Sequence, residues 1–179
     1  MRVTDPQAIR ALAHPLRLDL LELLGTISPA TAAHCGRILG VPQANCSFHL
    51  RQLAKYGFVE DAGPGEDRRE RQWRIAATTP RIRIDSGGDH LLRRQIENVV
   101  VDREMAAIRA YVDREQDERP EWREGLGLAT GVAKLTAEEA AELAVKWRAL
   151  LEPYQTRDDR PGARHVRVFV SVTPLGEEQ

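Results

Sequence analysis

The stretch that most constrains this chain is residues 41–59, VPQANCSFHLRQLAKYGFV. Val41 and Pro42 read as a turn, and Pro42, with its fixed φ and no N–H to donate, suits a helix start. From Gln43 to Tyr56 the apolar residues Cys46, Leu50 and Leu53 recur at helical spacing. Gly57 tolerates the left-handed conformation that ends a helix. The face away from the apolar stripe is assigned Gln43, Asn45, Ser47, Phe48, His49, Arg51, Gln52 and Lys55, and no carboxylate occurs between Gln43 and Tyr56. A solvated helix normally mixes both signs of charge. One that offers amides, hydroxyls and cations suits phosphates and base edges.

The residues before it read as three more helices. Asp5-Pro6 has the pattern of an N-cap and first turn, opening a helix that carries Ile9, Leu12 and Ala13. His14-Pro15 interrupts it, because the residue before proline is pushed out of the α region. His14 reads as a structural residue at this junction. Leu16, Leu20, Leu21, Leu23 and Leu24 make a strongly apolar helix expected to end at Gly25. Ser28-Pro29 is expected to cap a third helix running to about Leu39 and closed by Gly40. Its expected inner face is Cys35, Ile38 and Leu39, with Gly36 allowing a close helix approach. Two short helices joined by the tight Gly40-Val41-Pro42 link form a helix-turn-helix.

Downstream of Gly57, residues 58–61 read as a strand, Gly63-Pro64-Gly65 as a turn, and RERQWRI at 69–75 as a second strand. Alternation puts Arg69, Arg71, Trp73 and Ile75 on one face, with Trp73 and Ile75 towards the core. Arg68, Arg69 and Arg71 lie towards the tip. A basic hairpin directly after a helix-turn-helix reads as a wing; Glu66, Asp67 and Glu70 among those arginines also fit a plain solvated turn.

The pieces ALAHPLRLDLLELL, RILGVPQANCSFHLRQLAKYGFV and a Gly-rich hairpin ending RQWRI resemble the arsenic-repressor-like (ArsR) winged-helix regulators of bacteria. Ser47, His49, Leu50, Arg51 and Leu53 carry the Ser-x-His-Leu-Arg-x-Leu pattern, and His14 to Arg17 the His-Pro-Leu-Arg pattern. The resemblance spans Ala11 to Ile75. It implies a homodimeric repressor that binds a double-stranded DNA operator, with the 43–56 helix in the major groove. Gln43, Asn45, Ser47 and Arg51 would then read bases. Lys55, His49 and the wing arginines would hold phosphates. Phe48 would meet a thymine methyl or the sugar-phosphate edge, with Gln52 on the same face.

The chain departs from the family's metal sensors. Their Cys-x-Cys motif falls where this chain reads TAAHCGRIL, with one cysteine. Cys35 and Cys46 take inward positions, where a free cysteine acts as a small hydrophobe. His34 and Cys35 are adjacent and point to different faces. The five histidines are scattered, whereas transition metals need converging ligands. No metal and no cofactor are expected.

Thr78 to Gly88 reads as a linker with a short strand at RIRI, residues 81–84. Asp89 to about Arg119 reads as one long helix with Leu92, Ile96, Val99, Val100, Met105, Ile108 and Val112 inside, and Arg94, Glu97, Arg103, Glu104, Arg114 and Glu115 outside. At the standard rise it would span roughly 45 Å, long enough to need a partner subunit or the C-terminal segment. Pro120 is expected to end it. One irregular strand is expected within Trp122–Leu135. Thr136-Ala-Glu-Glu139 is a capping box, opening a helix expected to bury Leu143, Trp147, Leu150, Leu151 and Tyr154. RHVRVFVSV at 164–172 alternates strictly, as a strand does. Trp122, Trp147, Tyr154 and Phe169 are enough aromatics either to line a pocket for a small apolar ligand or to fill a small core.

The fold class is therefore α+β, with a winged helix-turn-helix domain at 1–78, a linker and long dimerisation helix at 79–119, and a small α/β subdomain at 120–179. A chain that is 42% hydrophobic and 30% charged is expected to be soluble. No apolar run reaches the ~18 residues of a membrane span, and the N-terminus lacks a signal-peptide core, so a cytoplasmic site is expected. Residues 1–80 hold 10 Lys and Arg against 8 Asp and Glu, and the rest 16 against 19. DNA affinity must then come from a local patch rather than from bulk charge. The alternative is a protein-interaction module that docks through the winged helix and the acidic C-terminal half. An enzyme has little support, because no Gly-rich phosphate loop, activated nucleophile or ligand cluster is found.

Overall fold

His14 and Pro15 split the N-terminal helical run, as the pre-proline restriction requires. α1 covers Pro6–Leu12, and α2 covers Pro15–Ile27 with His14 extended at its N-cap. The computed structural model describes residues 6–65, 70–76, 90–124, 127–155 and 160–176, which fall into two units, 1–112 and 113–179. Asp5, the expected cap of α1, lies outside the described residues. α2 runs through Gly25, its expected end, and stops at Ser28. A helical glycine costs only about 1 kcal/mol, and buried Leu24 with Ile27 holds the last turn to the core.

Ser28-Pro29 does not cap the third helix. A two-residue strand, β1 at Ala30–Thr31, intervenes, and Thr31 caps α3 (Ala32–Leu39) by accepting the His34 N–H at 3.2 Å. α4 spans Gln43–Lys55. Its end is a Schellman motif. Gly57, at φ 73°, donates to the Ala54 carbonyl, and Phe58 donates to the Leu53 carbonyl. The accompanying apolar pair, Leu53 and Phe58, is fully buried.

β2 (Val59–Pro64) and β3 (Arg71–Ile75) form the wing, and β1 pairs on the other side of β3 in an antiparallel sheet of order β1-β3-β2. The expected turn at Gly63-Pro64-Gly65 is still strand, since Pro64 pairs with Arg71. A bulge between Asp61 and Gly63 lets β2 continue, with the Asp61 carboxylate accepting the Gly63 N–H at 2.9 Å. Trp73, on the central strand, is buried against the helices. Ala30 lies opposite it on one neighbour and Asp61 on the other.

α5 (His90–Arg114) begins by adding Leu92 and Ile96 to this core. It is shorter than expected. Its helical bonding ends at Arg114, a 3₁₀ turn follows at Glu115–Asp117, and Pro120 starts a helix instead of ending one. Arg103 and Glu104 were expected outside, but both turn inward. Arg103 donates to Asp19 at 2.8 Å, to Glu104 at 3.0 Å and to Glu22. The two acidic residues of α2 thus draw a cation out of solvent, which an apolar count along α5 does not reveal. The linker and the 81–84 strand expectation lie outside the described residues.

The second unit has no buried side chain among its described residues. α6 is Pro120–Arg123 and α7 is Ala137–Gln155. Among the described residues between Trp122 and Leu135 there is no strand. The capping box is formed in both directions: Glu139 accepts the Thr136 N–H at 2.7 Å, and Thr136 accepts the Glu139 N–H at 3.2 Å. The apolar stripe behind it is not buried, with Trp147 39% and Leu150 57% exposed. Residues 164–172 are not a ladder strand, because no other described segment pairs with them. Alternation gives a segment two chemically different faces, but a strand also needs a neighbour. Arg164 anchors the start of this segment, pairing with both Glu118 oxygens at 2.9 and 3.2 Å and stacking on Trp122. That hydrogen-bonded guanidinium holds the Glu118 carboxyl down at about 2.

Candidate nucleic-acid interface

The α3–turn–α4 unit is fixed from below. Gly40 takes φ 68°, the Val41 N–H donates to the Gly36 carbonyl at 3.0 Å, and a Cβ on Gly36 would sit 2.7 Å from the Val41 carbonyl oxygen. Only glycine lets the turn close this tightly. Cys46, Leu50 and Leu53, all fully buried, lock one face of α4 into the core.

The opposite face of α4 is largely open to solvent. Gln43, Asn45, Phe48, Arg51 and Lys55 are exposed, and Ser47 and Gln52 are half-buried. Phe48 keeps 51% of its surface in water on an otherwise polar helix face. Lys55 lies over the Tyr56 ring at 5.4 Å. Ala44 was missed by sequence reasoning. It is exposed at the start of α4, in helical register with Phe48, Arg51 and Lys55. The 4-3-4 spacing from Ala44 was the available signal. Ile38, expected inside α3, is 50% exposed.

His49 does not share the outer face. Three residues from Cys46 and one from Leu50, it flanks the buried stripe, and its ring packs on His14 with centroids 4.3 Å apart. The Nδ1 atoms of both rings are buried with no hydrogen-bond partner among the described residues. Burial lowers the His14 pKa, Arg17 adds to that and Asp19 opposes it. His49 is lowered by burial, then by His14 and Arg17. Arg17, itself lowered by burial, points its Nη2 at the Arg10 carbonyl at 3.5 Å. Burial thus disfavours the charged form of both imidazoles, and the HPLR and SFHLR motifs meet at one joint between α2 and α4.

On the wing, Arg71 pairs with Asp61 at 2.9 Å and stacks over Trp73, and Arg74 pairs with Glu60 at 2.7 Å. These pairs are exposed and exchangeable, so either guanidinium can turn to an anion at little cost. Arg68 and Arg69 lie outside the described residues. Burial pushes the Cys35 thiol up to about 11, and Cys46 is raised for the same reason. Among the described residues no cluster of three or more metal-ligating side chains occurs, and no helix is long and apolar enough to cross a membrane. Of the four aromatics singled out for an effector, Trp122 is half-buried under Arg164, while Trp147, Tyr154 and Phe169 are exposed.

The family described as "Helix-turn-helix domain" matches residues 12–62, the span from the end of α1 into β2. No curated protein matches the chain. Among solved structures it is similar to the transcriptional regulator Tm0710 from Thermotoga maritima, at 14% identity and TM-score 0.32, over 81% of this chain and 80% of that one. Wild type MarR in its apo form from E. coli is 16% identical, with TM-score 0.33, over 81% of this chain and 88% of that one. A MarR mutant from E. coli complexed with operator DNA is 18% identical, with TM-score 0.32, over 80% and 85%. Scores this low reflect a loose correspondence of chain trace, and nothing about function follows from them. Sheet, helix order and the matched domain together make the first unit a winged helix-turn-helix within an α+β chain.

Proposed function

We propose that this chain is a cytoplasmic, sequence-specific DNA-binding transcriptional regulator, a homodimeric repressor of the ArsR-like kind. The observation that carries this reading is the exposed face of α4, which presents amides, an aromatic ring and two cations without one carboxylate. In the major groove, Gln43, Asn45, Ser47 and Arg51 read base edges. Lys55 and the wing arginines, Arg68, Arg69 and Arg71, hold phosphates, with Gln52 beside them. His49 positions α4 through His14. Amide and guanidinium side chains are the groups that make bidentate contacts to adenine and guanine, and a helix locked by three buried residues can present them without reordering.

Regulation in this reading does not use a metal, because Cys35 and Cys46 are both fully buried, where a free cysteine acts as a small hydrophobe. A small apolar effector would need the exposed Trp147, Tyr154 and Phe169 covered by a second copy before they could form a pocket. The experiment is selection of bound DNA from a random pool, followed by footprinting of the winning sequence. The homodimer places two α4 helices about one helical turn apart, ~10 base pairs or a multiple, and the footprint is expected to be a two-fold repeat with that spacing. A second reading, a protein-docking module, draws on the exposed apolar side chains of the second unit. A winner whose binding does not weaken with salt favours that alternative.

A further inference from the structure

An apolar patch lies among the polar groups of α4. Phe48 is 51% exposed, and Ala44, four residues before it, is exposed too. One apolar side chain on a surface is ordinary. These two form a single patch, because residues four apart on a helix are neighbours, and the patch is central. Cys46, Leu50 and Leu53 fix the buried side of α4. At about 100° per residue, Ala44 and Phe48 lie roughly 150–170° round the helix from the middle of that stripe, on the crest of the outer face. Ser47 and Arg51 flank them on one side, Asn45 and Gln52 on the other. The helix has no carboxylate and carries Arg51 and Lys55, so the charge around the patch suits a polyanion.

Groove geometry decides what the crest meets. A helix with its side chains is about 10–12 Å across, and the major groove is about 12 Å wide. A helix that fills the groove turns its flanks to the sugar-phosphate walls and its crest to the floor. The base pairs on that floor present hydrogen-bonding groups and one apolar group, the C5 methyl of thymine. Neither Ala44 nor Phe48 offers a side-chain hydrogen bond. Pressed against amino and carbonyl groups alone, they would strip water from polar edges and return nothing. A thymine methyl beneath them carries no such cost.

We infer that Phe48, with Ala44 beside it, seats the 5-methyl group of a thymine in each half-site and so fixes one base of the operator. This rests on the DNA-binding reading above and adds to it a base read through an apolar contact. The ring is placed before DNA arrives. It packs on His49 with centroids 5.1 Å apart and planes at 81°, and His49 packs on His14. A side chain already held against its own helix loses less freedom on binding.

Uracil differs from thymine by that methyl alone, so a uracil scan of the selected operator is the test. Each thymine of one half-site is replaced in turn by deoxyuridine, and the affinity of the full chain is measured. Burying one such carbon is worth about 4-fold in affinity. The wild type is expected to lose about this factor at one position. Phe48→Ala should bind the all-thymine operator more weakly than the wild type does and should not distinguish it from the uracil version. Phe48→Gln, a good helix former without the ring, is the second variant and should behave in the same way. Selective, salt-sensitive binding with no thymine fixed in the half-site, with no uracil penalty, or with a penalty that both variants retain, overturns this assignment and leaves the DNA-binding reading standing. Tolerance of uracil combined with a uniform loss on every sequence in Phe48→Ala also overturns it, and places the ring on the sugar-phosphate edge. Binding that selects no sequence and does not respond to salt overturns both.

Discussion

The imidazole rings of His14 and His49 meet with centroids 4.3 Å apart and planes tilted by 40°. One comes from the N-cap of α2 and the other from the middle of α4. The contact between α2 and α4 therefore includes a pair of histidine rings, with Arg17 as a third basic group beside it.

That pairing predicts a pH dependence of stability. Both folded pKa values lie below the ordinary 6.5, so on acidification the unfolded chain takes up protons first. The neutral pair contributes its full stability above about pH 6.5, and that contribution is lost as the pH falls from there towards the lowered folded values. Asp19 moderates the effect at His14. Urea unfolding at pH 7.5 and 5.5 should show a loss for the wild type that His14→Asn with His49→Gln largely removes. An equal loss in both proteins would assign the acid sensitivity to other groups.

Gly36→Ala is expected to damage the helix-turn-helix. The new Cβ would meet the Val41 carbonyl oxygen at 2.7 Å, and that oxygen belongs to backbone in the turn itself. Overpacking of this kind costs about 1–3 kcal/mol. The midpoint of chemical denaturation should fall accordingly, and operator affinity should fall with it because the turn sets the pose of α4. Gly25→Ala is the control. A Cβ there meets nothing within 4 Å in a helical position, so that change should be neutral or mildly stabilising.

Cys35 and Cys46 should behave as core residues. Both are fully buried, and the Cys35 thiol is held up to about 11. Alkylation of the native protein at pH 8 should be slow and should become fast on unfolding. Cys35→Ala should cost about 1 kcal/mol without changing how DNA binding responds to zinc, cadmium or arsenite. Metal-induced release of DNA that is abolished by Cys35→Ser would contradict this.

The first unit was legible because its signals are local. Pre-proline and glycine positions set the helix breaks at His14, Gly40 and Gly57, and the Cys46, Leu50, Leu53 spacing sets the buried face of α4. The misreadings have tertiary causes. β1 exists because β3 offers it an edge, so the cap of α3 moved from Ser28 to Thr31. Arg103 turned inward because Asp19 and Glu22 wait on α2, 84 and 81 residues away in sequence. His49 was read as outward because it is polar, although its angular position beside Leu50 already put it at the edge of the core. In the second unit the capping box at Thr136 and Glu139 was legible. The strand at 164–172 was not, since a ladder depends on a neighbour that the pattern itself does not contain.

The central claim is that the outer face of α4 reads DNA, and the most direct measurement is the affinity of two variants for the selected operator across a salt series. Arg51→Ala should weaken specific binding by about 1–3 kcal/mol and relax preference at one base position. Adding Gln43→Ala should weaken binding further and relax a neighbouring position. Lys55→Ala, a phosphate contact, should instead reduce the salt slope by about 1 and weaken all sequences alike. Tight, sequence-selective binding that Arg51→Ala and Gln43→Ala together leave unchanged would contradict the assignment of α4 as the reading helix.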